Sequence, residues 1–216
     1  MRTGFLSRTR LLCFLLLATL AGGASAAEHV DLLIRNGVIY DGRGSEPIRG
    51  DVAVKAGRVV AIGTLRDYTA DREVNANGLA VAPGFINTLS WAVESLIYDG
   101  RGMSDIKQGV TLEIFGEGNS MGPVNDRVRE EMLKTQSDIR YDVTWKTLGE
   151  YLDFLVKKGV SPNVASFVGA TTAREYVVGY DDVAPTPEQL KQIHEKRETG
   201  EAGTSRDNRE SKSNQE

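Results

Sequence analysis

The sequence predicts a mixed α/β chain whose architecture changes at Pro83-Gly84. Three observations carry this. Residues 30–80 hold short apolar runs separated by Asn36-Gly37, Ala56-Gly57 and Asn77-Gly78, the punctuation of a β-rich module. The apolar run Leu79 to Val81 then meets a Pro-Gly break and resumes through Phe85 and Ile86. After Trp91, strand-like and helix-like segments alternate, which favours a parallel sheet.

Residues 1–26 read as a signal peptide. Arg2, Arg8 and Arg10 precede an apolar run from Leu11 to Leu20, and Ala24-Ser25-Ala26 fits a small-residue cleavage site. The run is shorter than the about 20 residues of a membrane span. The expectation is an exported protein, periplasmic or secreted, with no stable membrane insertion after cleavage. Cys13, the only cysteine, lies inside this segment, so the mature chain has no disulfide framework. The net charge of −4 becomes more negative once the three arginines leave. An acidic chain without a basic patch argues against nucleic acid as a partner.

Residues 27–80 form the β-rich module. Val30 to Asp41 reads as two strands around an Asn36-Gly37 hairpin turn, because both turn residues tolerate positive φ. Val52 and Val54, then Val59, Val60 and Ile62, continue the alternation around Ala56-Gly57. Asn77-Gly78 makes a further turn between Val74 and Leu79. Such alternation gives one buried and one wet face.

Residues 81–194 change rhythm. Val93 to Gln108 is mixed, with a helix near its end, and Val110 to Phe115 is a short buried strand. Val128 to Leu133 is a short helix. Thr144 to Lys158 is the strongest helix, with Thr144 as cap and Leu148, Leu152, Leu155 and Val156 as its apolar stripe. Pro162 to Val168 is another strand, and Pro187 opens a last helix. From Glu195 to Glu216 the composition becomes almost wholly polar, with Ala202 as its one hydrophobic residue, which predicts a disordered tail.

The stretch Ala82-Pro83-Gly84-Phe85-Ile86-Asn87-Thr88-Leu89-Ser90-Trp91 resembles the "APGFID-x-H-x-H" strand of the amidohydrolase superfamily. The wider chain, from about Asp31 to Leu190, resembles its N-acyl-D-amino-acid deacylase (D-aminoacylase) branch. The resemblance implies an N-terminal β-sandwich-like module followed by the first strands of a metal-dependent (β/α)8 hydrolase barrel. Such a barrel needs roughly 250 residues, so this chain of 216 is expected to be a truncated version. The family's Asp falls on Asn87, and its two metal-binding His fall on Leu89 and Trp91. The chain thereby resembles a divergent subgroup with Pro-Gly-Phe-Ile-Asn-x-Leu-Ser-Trp-Ala at this place.

In a (β/α)8 barrel the chemistry sits at the C-terminal ends of the strands. Three such ends are legible here. The first carries Asn87, Ser90 and Glu94; the second Glu117 and Asn119; the third Gly169 to Arg174. Where the family has Gly-Asn-Cys-Gly with a metal-binding Cys, this chain has Glu117 and Gly118, and where the family often shows a His it has Ala170. The family implies a divalent metal such as zinc, yet its ligands are largely absent from these positions. Glu117 is the candidate metal ligand, because a carboxylate directly after a strand can bind metal or move a proton. Asn87, Ser90, Glu94, Asn119 and Arg174 are candidate substrate contacts, and Arg174 has the fork that pairs with a carboxylate. His29 and His194, the only histidines, read as solvent-exposed bystanders, and Trp91 and Trp145 as core residues. Gly116-Glu117-Gly118 lacks the Lys and spacing of a phosphate-binding loop, so its glycines read as close-packing positions.

Two functional readings follow from the resemblance. One is an amidohydrolase acting on an N-acyl amino acid or related amide, inactive as this fragment. The other is a non-catalytic, metal-free binding relative of the same barrel.

Overall fold

The computed structural model describes residues 27–198. The signal-peptide reading, and the tail reading beyond Glu198, fall outside those residues. The chain divides between Pro83 and Gly84 into two compact units. Among the described residues, no helix is long and apolar enough to cross a membrane.

The first unit is one mixed sheet of five strands: β1 (Glu28–Ile39), β2 (Ile48–Lys55), β3 (Arg58–Gly63), β4 (Tyr68–Asn75) and β5 (Ala80–Val81). β2 lies antiparallel between β1 and β3. β4 and β5 run parallel to β1 along its other edge, against its first and second halves respectively. The reading of Asn36-Gly37 as a hairpin turn is corrected here. β1 runs unbroken through both residues, with a bulge against β2 between Ile34 and Gly37. The positive φ of Asn36, 58°, serves that bulge instead of a reversal. Asn77-Gly78 is a turn, but it joins two strands of the same direction and so steps the chain along β1. Gly78 N–H donates to the carbonyl of Asn36 at 2.8 Å, which stacks the two Asn-Gly pairs side by side. Ala56-Gly57 is the true two-residue hairpin, with φ of 49° and 70°.

Val30, Leu33, Ala53 and Leu65 are the buried centre of this unit, with Tyr68 and Ala70 packed against them. Arg35 ties its edge together. Its guanidinium donates to Asp51 Oδ2 at 3.3 Å, to Glu73 Oε1 at 3.2 Å and to the carbonyls of Leu65 and Tyr68. Val59, Val60 and Ile62 on β3 stay exposed, so the alternation read there leaves its apolar residues uncovered within this sheet.

The second unit has three parallel strands in the order β6 (Phe85–Asn87), β7 (Val110–Phe115) and β8 (Asn163–Ser166). Helices separate them in sequence: α1 (Val93–Tyr98) and α2 (Met103–Ile106), then α3 (Asp126–Thr135) and α4 (Leu148–Lys158), and after β8, α5 (Ala170–Val177) and α6 (Pro187–Glu198). α4 begins later than Thr144. Thr147 caps it instead, its hydroxyl accepting from Glu150 N–H while the Glu150 carboxylate accepts from Thr147 N–H. This reciprocal box outcompetes a lone hydroxyl further upstream. α6 continues through Glu198, past the Glu195 boundary drawn on composition. Thr186 and Gln189 cap its start in the same reciprocal way.

Leu148, Leu152 and Leu155 of α4 are buried together with Phe115, Val164 and Trp145. Trp145 packs on Tyr141, Tyr151 and Phe154, with ring centroids 6.1, 5.1 and 5.4 Å away. Its Nε1–H donates to the Met121 carbonyl at 2.6 Å. Each such aromatic pair adds about 1 kcal/mol to the burial itself. Trp145 is therefore core, as read. Trp91 is not: it is 71 % exposed, because β6 is a three-residue edge strand with nothing beside it to cover the residues that follow.

Candidate functional site

The three parallel strands point their C-terminal ends the same way, and the loops leaving them converge. Gly116, directly after β7, has a φ of 89°, and a Cβ there would run into the Phe167 carbonyl. A Cβ on Gly169 would likewise strike the Gly118 carbonyl. These glycines let the β7 and β8 loops touch backbone to backbone. Thr171 N–H donates to Gly118 O at 3.0 Å, and Ser120 N–H to Thr172 Oγ1 at 2.8 Å, which fixes the contact.

Three cavities open at this end. One, of about 90 Å³, is lined by Leu89, Ser90, Trp91, Val93, Glu117 and Asn119 among others. A second, of about 460 Å³, is lined by Glu117, Phe167, Ala170, His194 and Arg197. A third of similar size is lined by Glu94, Asn119, Tyr141, Thr172, Glu175 and Tyr180. Glu117 is exposed and belongs to both of the first two.

The candidate residues fall at different places in this geometry. Ser90 is buried, and its Oγ accepts from Ala92 N–H at 3.2 Å. Asn119 lines two of the cavities. Glu94 accepts a hydrogen bond from the Tyr141 hydroxyl at 2.9 Å. Burial and then Glu94 itself push the Tyr141 hydroxyl well above the usual phenol range, so it stays a donor. Burial, reinforced by Glu131, pushes the Glu175 carboxyl up in the same cavity, against the opposing pull of Arg174. Asn87 lines none of the three; its Oδ1 accepts from Leu89 N–H at 3.3 Å. Arg174 donates to the carbonyls of Gly179, Asp181 and Val183, each at 2.8 Å, so its guanidinium braces the loop after α5.

With this geometry in view, the similarity to known proteins is specific. No protein-family model matches the chain. The D-aminoacylase of Alcaligenes xylosoxydans xylosoxydans is 31% identical over 170 residues, 77% of this chain and 34% of that enzyme. This chain is a homologue of the D-aminoacylases, in the amidohydrolase superfamily. The N-acyl-D-glutamate deacylase of Bordetella bronchiseptica, solved with zinc and a phosphonate inhibitor, superposes with a TM-score of 0.67 at 25% identity. That match covers 80% of this chain and 36% of the deacylase. A crystal structure of D-aminoacylase gives 0.64 at 26% identity, covering 76% and 34%. The D-aminoacylase homologue thus spans about a third of the length of the relatives it matches.

The metal of those relatives poses a question of donors. In the D-aminoacylase homologue, no group of three or more His, Cys, Asp or Glu converges among the described residues. Leu89 offers no donor atom, and Trp91 only an indole N–H. Glu117 and His194 share one cavity, but two donors fall short of the three protein ligands of a catalytic zinc site. The residues present do not by themselves fit the metal.

Sequence reasoning missed two features here. His194, read as a bystander, reaches the strand ends beside Glu117, with Arg197 one turn further along α6. Their i, i+3 spacing was visible, but the direction of α6 depends on its packing against α5. The other is Glu113, hidden inside an apparently apolar strand. It is 1 % exposed, and neither carboxylate oxygen has a hydrogen-bond partner.

Proposed function

We propose that residues 81–194 are the opening strands of a (β/α)8 barrel, and that the protein built on them hydrolyses an N-acyl-D-amino acid or a related amide. The observation that supports this most is the three-strand parallel sheet with its cavities at the C-terminal ends, together with the likeness to two deacylase structures. Residues 27–80 act as one half of a β-sandwich, and the exposed Val59, Val60 and Ile62 are the face that a second sheet would cover. Glu117 supplies an oxygen donor or proton acceptor at the mouth of β7. Ser90, Glu94 and Asn119 line the space for the substrate.

The chain itself is a poor catalyst in this reading, because its own donor set is incomplete. The test is hydrolysis of a panel of N-acetyl-D-amino acids by the purified, zinc-supplemented chain. No turnover is expected. Turnover that survives removal of contaminants would overturn the inactivity.

A second reading is supported by Leu89 and Trp91. An apolar residue and an indole at a strand end suit binding of an acyl or aromatic group without metal. Saturable binding of such amides by the metal-free chain would favour it.

We further propose export and cleavage after Ala26, on the strength of Arg2, Arg8, Arg10 and Ala24-Ser25-Ala26. N-terminal sequencing of the protein from its producing cells decides this. A chain still beginning at Met1 would refute it.

A further inference from the structure

The largest positively charged cavity lies in the first unit. It has a volume of about 710 Å³ and is lined by the two Asn-Gly pairs, Arg35, Arg49, Asp51, Gly63, Thr64 and Arg66 among others. Asp51 is the one carboxylate in this lining, and it is already satisfied. It accepts from the Arg35 guanidinium and from the backbone N–H groups of Asn36 and Leu65. Burial alone would raise its carboxyl, but those N–H groups and then Arg35 hold it below the usual range. Asp51 therefore stays ionised and cancels Arg35. Among the described residues, Arg49 and Arg66 have no carboxylate partner, and both are exposed. The cavity thus carries two uncompensated guanidinium groups on a chain whose net charge is −4.

The backbone around them favours a small ligand. Gly37, Gly50, Gly63 and Gly78 line the cavity without side chains. A Cβ added at Gly63 would meet nothing within 4 Å, so the mouth is open there. The rear wall is held by the Arg35 bonds to Asp51 and to the Leu65 and Tyr68 carbonyls, and by the Gly78 bond to Asn36. Two forked donors over a glycine-lined wall match a tetrahedral dianion, which accepts several N–H bonds at once.

We propose that this cavity is an oxyanion site of the phosphate class, read by Arg49 and Arg66 and separate from the amide chemistry of the second unit. The test is a titration of the full chain with inorganic phosphate at constant ionic strength, following the backbone amide resonances of Gly50, Gly63 and Gly78. Saturable shifts are expected. Sulfate should compete, and acetate should not. Arg49→Gln with Arg66→Gln should weaken the apparent affinity by roughly tenfold or more, the loss expected when two charge-assisted contacts go. Arg43→Gln, which removes the same charge outside the cavity, should leave the affinity unchanged. Shifts that are linear in phosphate, or that chloride reproduces, would overturn the proposal. So would an unchanged affinity in the double variant, or an equal loss in Arg43→Gln. If the double variant does not fold, the wild-type competition decides: displacement by acetate as effective as by sulfate rejects the site.

Discussion

Asn87 on β6 and Glu113 on β7 are register partners, and Glu113 is buried with no hydrogen bond to either oxygen. In a parallel pair, register partners share a sheet face, so Glu113 lies on the same side as Val164, its partner on β8. Val164 belongs to the main core of the second unit, as does Phe115 two residues along β7. A carboxylate in that position costs stability, since a buried charge without a partner is not offset. Glu113→Leu should stabilise the second unit by about 1–3 kcal/mol, measured by denaturant unfolding. Destabilisation by the same amount would mean that Glu113 has a partner its described surroundings do not supply.

Asp51 gives the first unit a pH dependence of known sign. Its folded carboxyl titrates below its ordinary value, so its contribution is present above that value and is lost as pH falls through the folded one. The side chain is 13 % exposed, which limits solvent screening. Acidification from about pH 5 downward should therefore loosen the first unit, and Asp51→Asn should flatten that part of the profile. At neutral pH the same variant should cost about 1–3 kcal/mol, because Asn36 N–H, Leu65 N–H and Arg35 lose a charged acceptor. A variant with the parent's stability from neutral pH to pH 3 would contradict this.

What the sequence disclosed was mostly local. Val110 to Phe115 was legible as a strand because six residues of apolar and β-favouring type end at Gly116. The position of Glu117 at a strand end followed from that. The helix cap at Thr147 was also legible, since Thr147 and Glu150 spell a capping box, but Thr144 drew the boundary too early. Asn36-Gly37 misled for a physical reason. Positive φ at Asn36 suits a hairpin turn and a bulge equally, and the parallel partners β4 and β5, distant in sequence, decide for the bulge. The approach of His194 to Glu117 was hidden in the same way, because tertiary packing aims α6. Trp91 was read as core because tryptophan usually is, whereas the edge position of β6 leaves it in solvent.

The most direct test of the account is zinc binding by the chain and by Leu89→His with Trp91→His, measured by equilibrium dialysis and elemental analysis. Leu89, Trp91 and Glu117 line one cavity at the end of the parallel sheet, so two imidazoles there would face the carboxylate. The account predicts substoichiometric zinc in the parent and a full equivalent in the double variant, lowered again when Glu117→Gln is added. A full equivalent of zinc in the parent, or no gain in the double variant, would contradict it.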